Sequence, residues 1–177
     1  RRISPMICVG ADPGLHGAIA VLECKRHGER PVLVGCWDIP TAGRIYGKVA
    51  RPRYVLPDVA NLIKAVAVFE PETFVIEEVQ GYGHQKGSSY FGYGVGILHM
   101  AATIYGLPIS VCSPSRWKAD LRCPAAKSAS VRMAEARIAD GGNGMFRGPK
   151  GGGLDGRAEA ALLAYWGWVK LARRSAM

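Results

Sequence analysis

The sequence predicts an α/β domain in which a mixed five-stranded sheet carries helices on both faces. Short apolar runs and amphipathic stretches follow one another in the order βββ-α-β-α-β, with only helices after that. Such an order buries a sheet beneath helices. The 177 residues are 49% apolar, enough for one full core. With no internal repeat and no dividing linker, residues 1–177 read as a single domain.

Residues 6–11 and 17–22 are apolar runs separated by Asp12-Pro13-Gly14-Leu15-His16, which reads as two strands joined by a tight reversal. Residues 31–37 form a third strand, followed by a loop rich in Gly, Pro and basic residues from Thr41 to Tyr54. Apolar positions at Val59, Leu62, Ile63, Val66 and Phe69 mark a helix over 57–69, with Pro57 near its start. Phe74-Val75-Ile76 is a buried fourth strand ending at Glu77. The Gly/Tyr-rich stretch 81–96 passes into a helix carrying Ile97, Leu98, Ala101, Ala102 and Tyr105. Residues 109–112 are a fifth strand, and 114–121 and 127–139 are helices. The Gly-rich stretch 141–153 reads as a mobile loop, and a last helix covers 155–171.

The charge balance is +9, from 23 basic and 14 acidic side chains, and its excess is clustered. Arg44, Lys48, Arg51 and Arg53 form one group. Arg116, Lys118, Arg122, Lys127, Arg132 and Arg137 form a second, and Lys170, Arg173 and Arg174 a third. Clusters of this kind point to a polyanion partner. The five cysteines are odd in number and have no paired CxxC spacing, so they read as reduced thiols rather than a disulfide framework or zinc site. No apolar run approaches the roughly 18 residues of a membrane helix. The chain opens on Arg1-Arg2 rather than Met, which reads as a trimmed N-terminus.

Four acids stand out against this basic background. Asp12 ends the first strand after Gly10-Ala11, a step without bulk where a metal or phosphate could approach the backbone. Asp-Pro-Gly is also ordinary turn chemistry. Glu77 ends the fourth strand. Asp155 and Glu159, at i and i+4, share a face of the last helix, and Gly156 and Ala158 between them are expected to leave that face open. Like charges at this spacing repel unless a cation binds them. An all-carboxylate set suits Mg²⁺. Two such ions about 4 Å apart would activate water and stabilise the leaving oxygen of a phosphodiester. An acidic pocket within a basic envelope therefore reads as a metal nuclease.

At these residues the chain resembles the RuvC-type Holliday junction resolvases of the RNase H-like superfamily. The likeness rests on Gly10-Ala11-Asp12-Pro13-Gly14, Phe74-Val75-Ile76-Glu77 and Asp155-Gly156-Arg157-Ala158-Glu159-Ala160, in the family's order. Phe91-Gly92-Tyr93-Gly94 and Pro114-x-x-Trp117-Lys118 resemble the chloroplast resolvases and some phage enzymes more than the bacterial protein. The resemblance implies an endonuclease that resolves four-way DNA junctions by paired symmetric nicks, as a homodimer using Mg²⁺ or Mn²⁺. It implies metal ligation by Asp12, Glu77, Asp155 and Glu159, and catalytic roles for Lys118 and Lys127. DNA contacts are expected from Tyr82, Lys86, Phe91, Tyr93, Arg116, Lys118, Lys127, Arg44, Arg51 and Arg53. The plastid nucleoid is the compartment implied, with bacterial or phage-infected cytoplasm as the alternative.

Two departures stand out. The last acidic pair is spaced by four here and by three in bacterial RuvC, and the bacterial aromatic after the second acid falls on Gln80. Junction stacking is therefore expected of Tyr82 or of a Phe91/Tyr93 loop. Trp117 reads as a core anchor, and His16 and His84 as solvated. The helix over 91–105 offers small residues and an apolar face for the dimer. The competing readings are an RNase H-like nuclease on RNA–DNA hybrids or flaps, and a non-catalytic junction-binding protein.

Overall fold

The computed structural model describes residues 5–25, 29–46, 49–78 and 88–175. Its main sheet has the order β3-β2-β1-β6-β7. β1 (Met6–Ala11) pairs antiparallel with β2 (Ala18–Cys24), which pairs antiparallel with β3 (Val32–Asp38). On its other side β1 pairs parallel with β6 (Thr73–Glu77), and β6 pairs parallel with β7 (Ile109–Cys112). The sheet is therefore mixed and five-stranded, as expected. Parallel pairing brings the C-terminal ends of β1 and β6 side by side, which places Asp12 and Glu77 next to each other at one end of the central strands.

Alternation along β1 divides the core in two. Val9 and Ala11 face a cluster with Phe74, Ile76, Val59, Ile63, Leu98 and Ala102. These are covered by α1 (Leu56–Ala67) and α2 (Ser88–Ile104). Pro57 stands in the first turn of α1, where its missing N–H costs no helical hydrogen bond, and Val59, Ile63 and Val66 form the buried stripe. Cys8 faces the opposite cluster, which includes Val75, Trp117, Val131, Ala160, Leu163 and Ala164. This side is covered by α3 (Pro114–Leu121), α4 (Lys127–Arg137) and α5 (Asp155–Ser175). All five cysteines are buried free thiols.

α5 lies unusually close to the sheet because its inner face is small. A Cβ added at Gly10 would stand 2.8 Å from Leu163 Cβ and closer still to the Ala160 carbonyl and Ala164 amide. The bare Gly10-Ala11 step therefore serves helix packing; it is not an approach for metal or phosphate. Gly156, likewise, lies against the His16 carbonyl, and Ala158 is fully buried. These residues are filled by the protein, which corrects the expected open helix face.

Two more expectations are revised. The stretch 41–54 is a hairpin, β4 (Thr41–Tyr46) with β5 (Val49–Tyr54), in register from Thr41↔Tyr54 to Tyr46↔Val49. Pro52 is tolerated because the ribbon is only two strands wide and Pro52 pairs with Gly43. The overlooked signal was two β-prone runs separated by two residues. The stretch 141–153 is folded. A 3₁₀ turn over Ala139–Gly144 places Asp140, Gly141, Gly142 and Asn143 at positive φ, buried Phe146 anchors the segment, and Arg147 bridges to Gly153. Arg147 also grips Glu135 of α4 through two hydrogen bonds of 2.6 and 2.8 Å. α5 is longer than expected, reaching Ser175.

Candidate active site

Asp12 follows β1 directly. Its amide donates to the Ala18 carbonyl at 3.0 Å, and its Oδ1 accepts the Gly14 amide at 3.0 Å. The turn is thus real, and it fixes the carboxylate. The loop is clamped from outside by Tyr54 of β5, whose hydroxyl donates to the Pro13 carbonyl. Burial, followed by the Asp12 charge, pushes that hydroxyl up to about 12, so it remains a donor. Phe91 lies near Gly14, its ring edge 3.6 Å from where a Cβ would stand there.

Glu77 is strongly perturbed. Burial raises its carboxyl to about 7, against an ordinary 4.5; the charges of Asp12 and Glu159 add to this, while Trp117 and Lys118 oppose it. The opposing hydrogen bond runs from the Trp117 indole N–H to Glu77 Oε1, at 2.7 Å. Trp117 is fully buried, so it anchors the core as expected and also orients an acid.

Glu159, on the second turn of α5, is the third partner. Its Oε1 accepts Lys118 Nζ at 2.8 Å and Ser130 Oγ at 2.9 Å. Burial alone would lower the Lys118 ammonium, but the hydrogen bond and charge of Glu159 more than offset it, and the net direction is upward. The Lys118 ammonium also lies 5.0 Å from the Trp117 ring centre. Asp155 opens α5 one turn before Glu159 and is half-buried. Arg157, between the two acids, turns away to Asp38 at the end of β3, with bonds of 2.6 and 2.7 Å.

The structure therefore gathers Asp12, Glu77, Glu159 and Lys118 into one electrostatic unit. Among the described residues, no three Asp, Glu, His or Cys side chains converge as a ready metal-ligand group. The donors nevertheless fit a divalent ion in kind, being oxygen-only, partly buried and mutually repelling. Lys118 supplies the cation that Glu159 holds in this structure.

Of the expected DNA contacts, Arg116 is exposed on α3, Phe91 and Tyr93 are exposed on α2, and Arg53 is half-buried on β5. Phe91 and Tyr93 are thus helical rather than in a loop. Tyr93 stands 6.0 Å, centre to centre, from the Tyr54 ring. The backbones of Arg44 and Arg51 are paired in register across the hairpin. Their side chains, that of Lys127, and the whole of Tyr82 and Lys86 lie outside the described residues.

Ser130 and Tyr54 were missed. Ser130 is fully buried and shares α4 with Lys127, so spacing on one helix was its only signal. Tyr54 came from a stretch read as a loop.

The Glu77 environment makes a pH prediction. In metal-free protein, native Glu77 keeps its proton between about 4.5 and 7, while the unfolded chain loses it. Stability should therefore fall as pH rises through that window, by on the order of 3 kcal/mol. Urea unfolding at stepped pH in EDTA should show this fall in the wild type and lose that component in Glu77→Gln. Parallel profiles for the two proteins would refute it.

The fold is an α/β domain with a mixed five-stranded sheet, and Asp12 and Glu77 stand at the adjacent ends of its central parallel strands with Glu159 and Lys118 beside them on α5 and α3. No family model and no curated protein matches the sequence. Solved structures do match. One, of Thermus thermophilus RuvC, is similar with a TM-score of 0.60 at 18% identity, covering 94% of this chain and 96% of that one. Another, T. thermophilus RuvC in complex with a Holliday junction substrate, is similar with a TM-score of 0.70 at 19% identity, covering 96% and 97%. The chain thus has the RuvC form of the RNase H-like fold.

Proposed function

We propose that this chain is a structure-selective endonuclease that binds four-way DNA junctions and resolves them by paired, symmetric nicks. The observation that carries this reading is the gathering of Asp12, Glu77, Glu159 and Lys118 on a fold shared, along nearly its whole length, with a junction-bound RuvC. Asp12, Glu77, Glu159 and Asp155 would hold Mg²⁺, for which Mn²⁺ would substitute. When bound, the ion supplies an activated water and neutralises the leaving oxygen. The protein's own groups do the rest. Trp117 fixes the Glu77 carboxylate, Ser130 fixes Glu159, and Lys118 brings a cation to the scissile phosphate. Arg116 and the Phe91 ring, beside the Asp12 loop, offer a phosphate contact and a stacking face.

The test is a labelled synthetic four-way junction, with RNA–DNA hybrid and flap substrates beside it, incubated with and without Mg²⁺. Symmetric nicks on two opposing strands with religatable ends support the reading. Cutting of hybrid or flap alone, or binding without nicks, would transfer the function to one of its rivals. A plastid nucleoid is the compartment we propose, on the subgroup motifs alone.

Two strands cut symmetrically call for two sites related by a twofold axis. The proposed contact is the outer face of α2, where Tyr93, Met100 and Ile104 are exposed at 49%, 62% and 69%, and a side chain added at Gly96 would meet nothing within 4 Å. Its inner face, with Leu98 and Ala102, is spent on the core. Met100→Glu combined with Ile104→Glu should convert a dimer at micromolar concentration into a monomer in sedimentation. A wild type that sediments as a monomer there would end this proposal.

A further inference from the structure

A cleft of about 760 Å³ opens between the C-terminal ends of α3, α4 and α5 and the segment before β3. Four arginines line it, Arg30, Arg122, Arg137 and Arg173, with Tyr165 and Trp168 in its wall. Tyr165 and Trp168 lie six and nine residues beyond Glu159 on α5. The cleft therefore begins roughly 9–14 Å along the helix from the acidic site, at about 1.5 Å per residue. It is a separate place on the molecule, and it unites parts of two basic clusters that are 36 residues apart in sequence between Arg137 and Arg173.

The cations there are available. All four arginines are exposed, and among the described residues none takes part in an ion pair. Two acids also line the cleft, Glu29 and Asp120. Asp120 is already satisfied, by Lys170 Nζ at 2.8 Å and by the Trp166 indole N–H at 2.8 Å. Arg122 holds the left-handed cap of α3 at φ 57°, a position where glycine is the usual residue, and so a cation is kept at a cost in backbone strain. Arg137 lies 5.8 Å over the Tyr165 ring, which meets Trp168 edge-on at 5.5 Å. Guanidinium forks suit phosphate oxygens, and an electropositive groove with aromatic walls suits a single nucleic-acid strand. The cleft's volume is that of a ligand pocket rather than a bed for a whole duplex.

We infer that this cleft is a second nucleic-acid site, gripping the phosphates of a single strand away from the acidic centre. The choice of a nucleic-acid strand as occupant rests on the proposed function; the cleft's geometry does not.

The probe is a fluorescein-labelled single-stranded DNA 12-mer, titrated against the full chain in EDTA at several salt concentrations and followed by anisotropy. Arg137→Ser with Arg173→Ser should weaken binding by about tenfold or more. It should also lower the slope of log affinity against log salt by about 1.4, at roughly 0.7 per phosphate contact. Arg30→Ser with Arg122→Asn is an independent pair, Asn being tolerated in the left-handed region; thermal melts of both pairs check folding. Lys64→Ser with Lys150→Ser removes the same charge from exposed positions elsewhere and should cost less than about twofold. Equal losses in cleft and control pairs, or none in the cleft pairs, would overturn the inference. So would displacement of the 12-mer by a poly-glutamate peptide of equal length and concentration, which would assign the cleft to an acidic protein segment. Junction nicking by the wild type in Mg²⁺ is read separately. Its absence counts against the proposed function, whereas insensitivity to the cleft pairs counts against this site alone.

Discussion

Asp12→Asn is expected to reduce junction nicking by about a thousandfold or more while leaving junction binding and stability nearly unchanged. The substitution isolates charge from structure. Asn keeps an Oδ1 that can accept the Gly14 amide, so the turn that Asp12 now makes at 3.0 Å is retained. What is lost is a negative oxygen at the point where β1 and β6 end together. A metal's charge stabilisation is worth several kcal/mol, and each 1.4 kcal/mol or so is a factor of ten in rate. The same change removes one of the like charges acting on Glu77, so the Glu77 carboxyl should move back toward its ordinary 4.5. Single-turnover nicking of a labelled junction, with a gel-shift titration alongside, is the measurement. Nicking within tenfold of the wild type would remove Asp12 from the site and the proposed chemistry with it.

Gly10→Ala should destabilise the fold by about 3 kcal/mol or more, the upper range for overpacking, and it acts through packing rather than through charge. The new methyl would be driven into the Ala160 carbonyl and the Ala164 amide, and it would stand 2.8 Å from Leu163 Cβ. Two of these three neighbours are backbone of the same helix, so no rotamer change makes room. α5 would have to lift from β1, and Glu159 rides on α5. The expected signature is therefore a lowered urea midpoint together with weaker nicking. A loss under about 1 kcal/mol would mean that α5 stands further from the sheet than it does here.

Much of the architecture was legible in the sequence because its local signals agreed with one another. Strand runs such as Phe74-Val75-Ile76 are apolar on both faces, as a central parallel strand must be. α1 announces itself by Pro57 and the spacing of Val59, Ile63 and Val66. Where signals conflicted, the reading failed. Gly43 and Pro52 in the hairpin look like loop residues until their cross-strand pairing is known. The run of glycines after Asp140 looks mobile until Phe146 is seen buried beneath it.

The acids stand out in the sequence, since Asp12 and Glu77 follow or end strands and Asp155 and Glu159 lie in the first two turns of the last helix. Their pairing does not. Glu77 with Trp117 is a contact across 40 positions, and Glu159 with Lys118 and Ser130 spans 41 and 29. The bareness of Gly10 and Gly156 was visible, yet its meaning was inverted: it admits a helix rather than a ligand. Sequence alone thus determined the five strands of the main sheet, the principal helices, the inventory of acids and the basic excess, because propensity, periodicity and charge are local properties. Only the tertiary structure decided which carboxylate meets which donor, and that two distant arginine clusters share one cleft. Those outcomes depend on packing between residues far apart in the chain, which for Glu159 means how close α5 comes to the sheet.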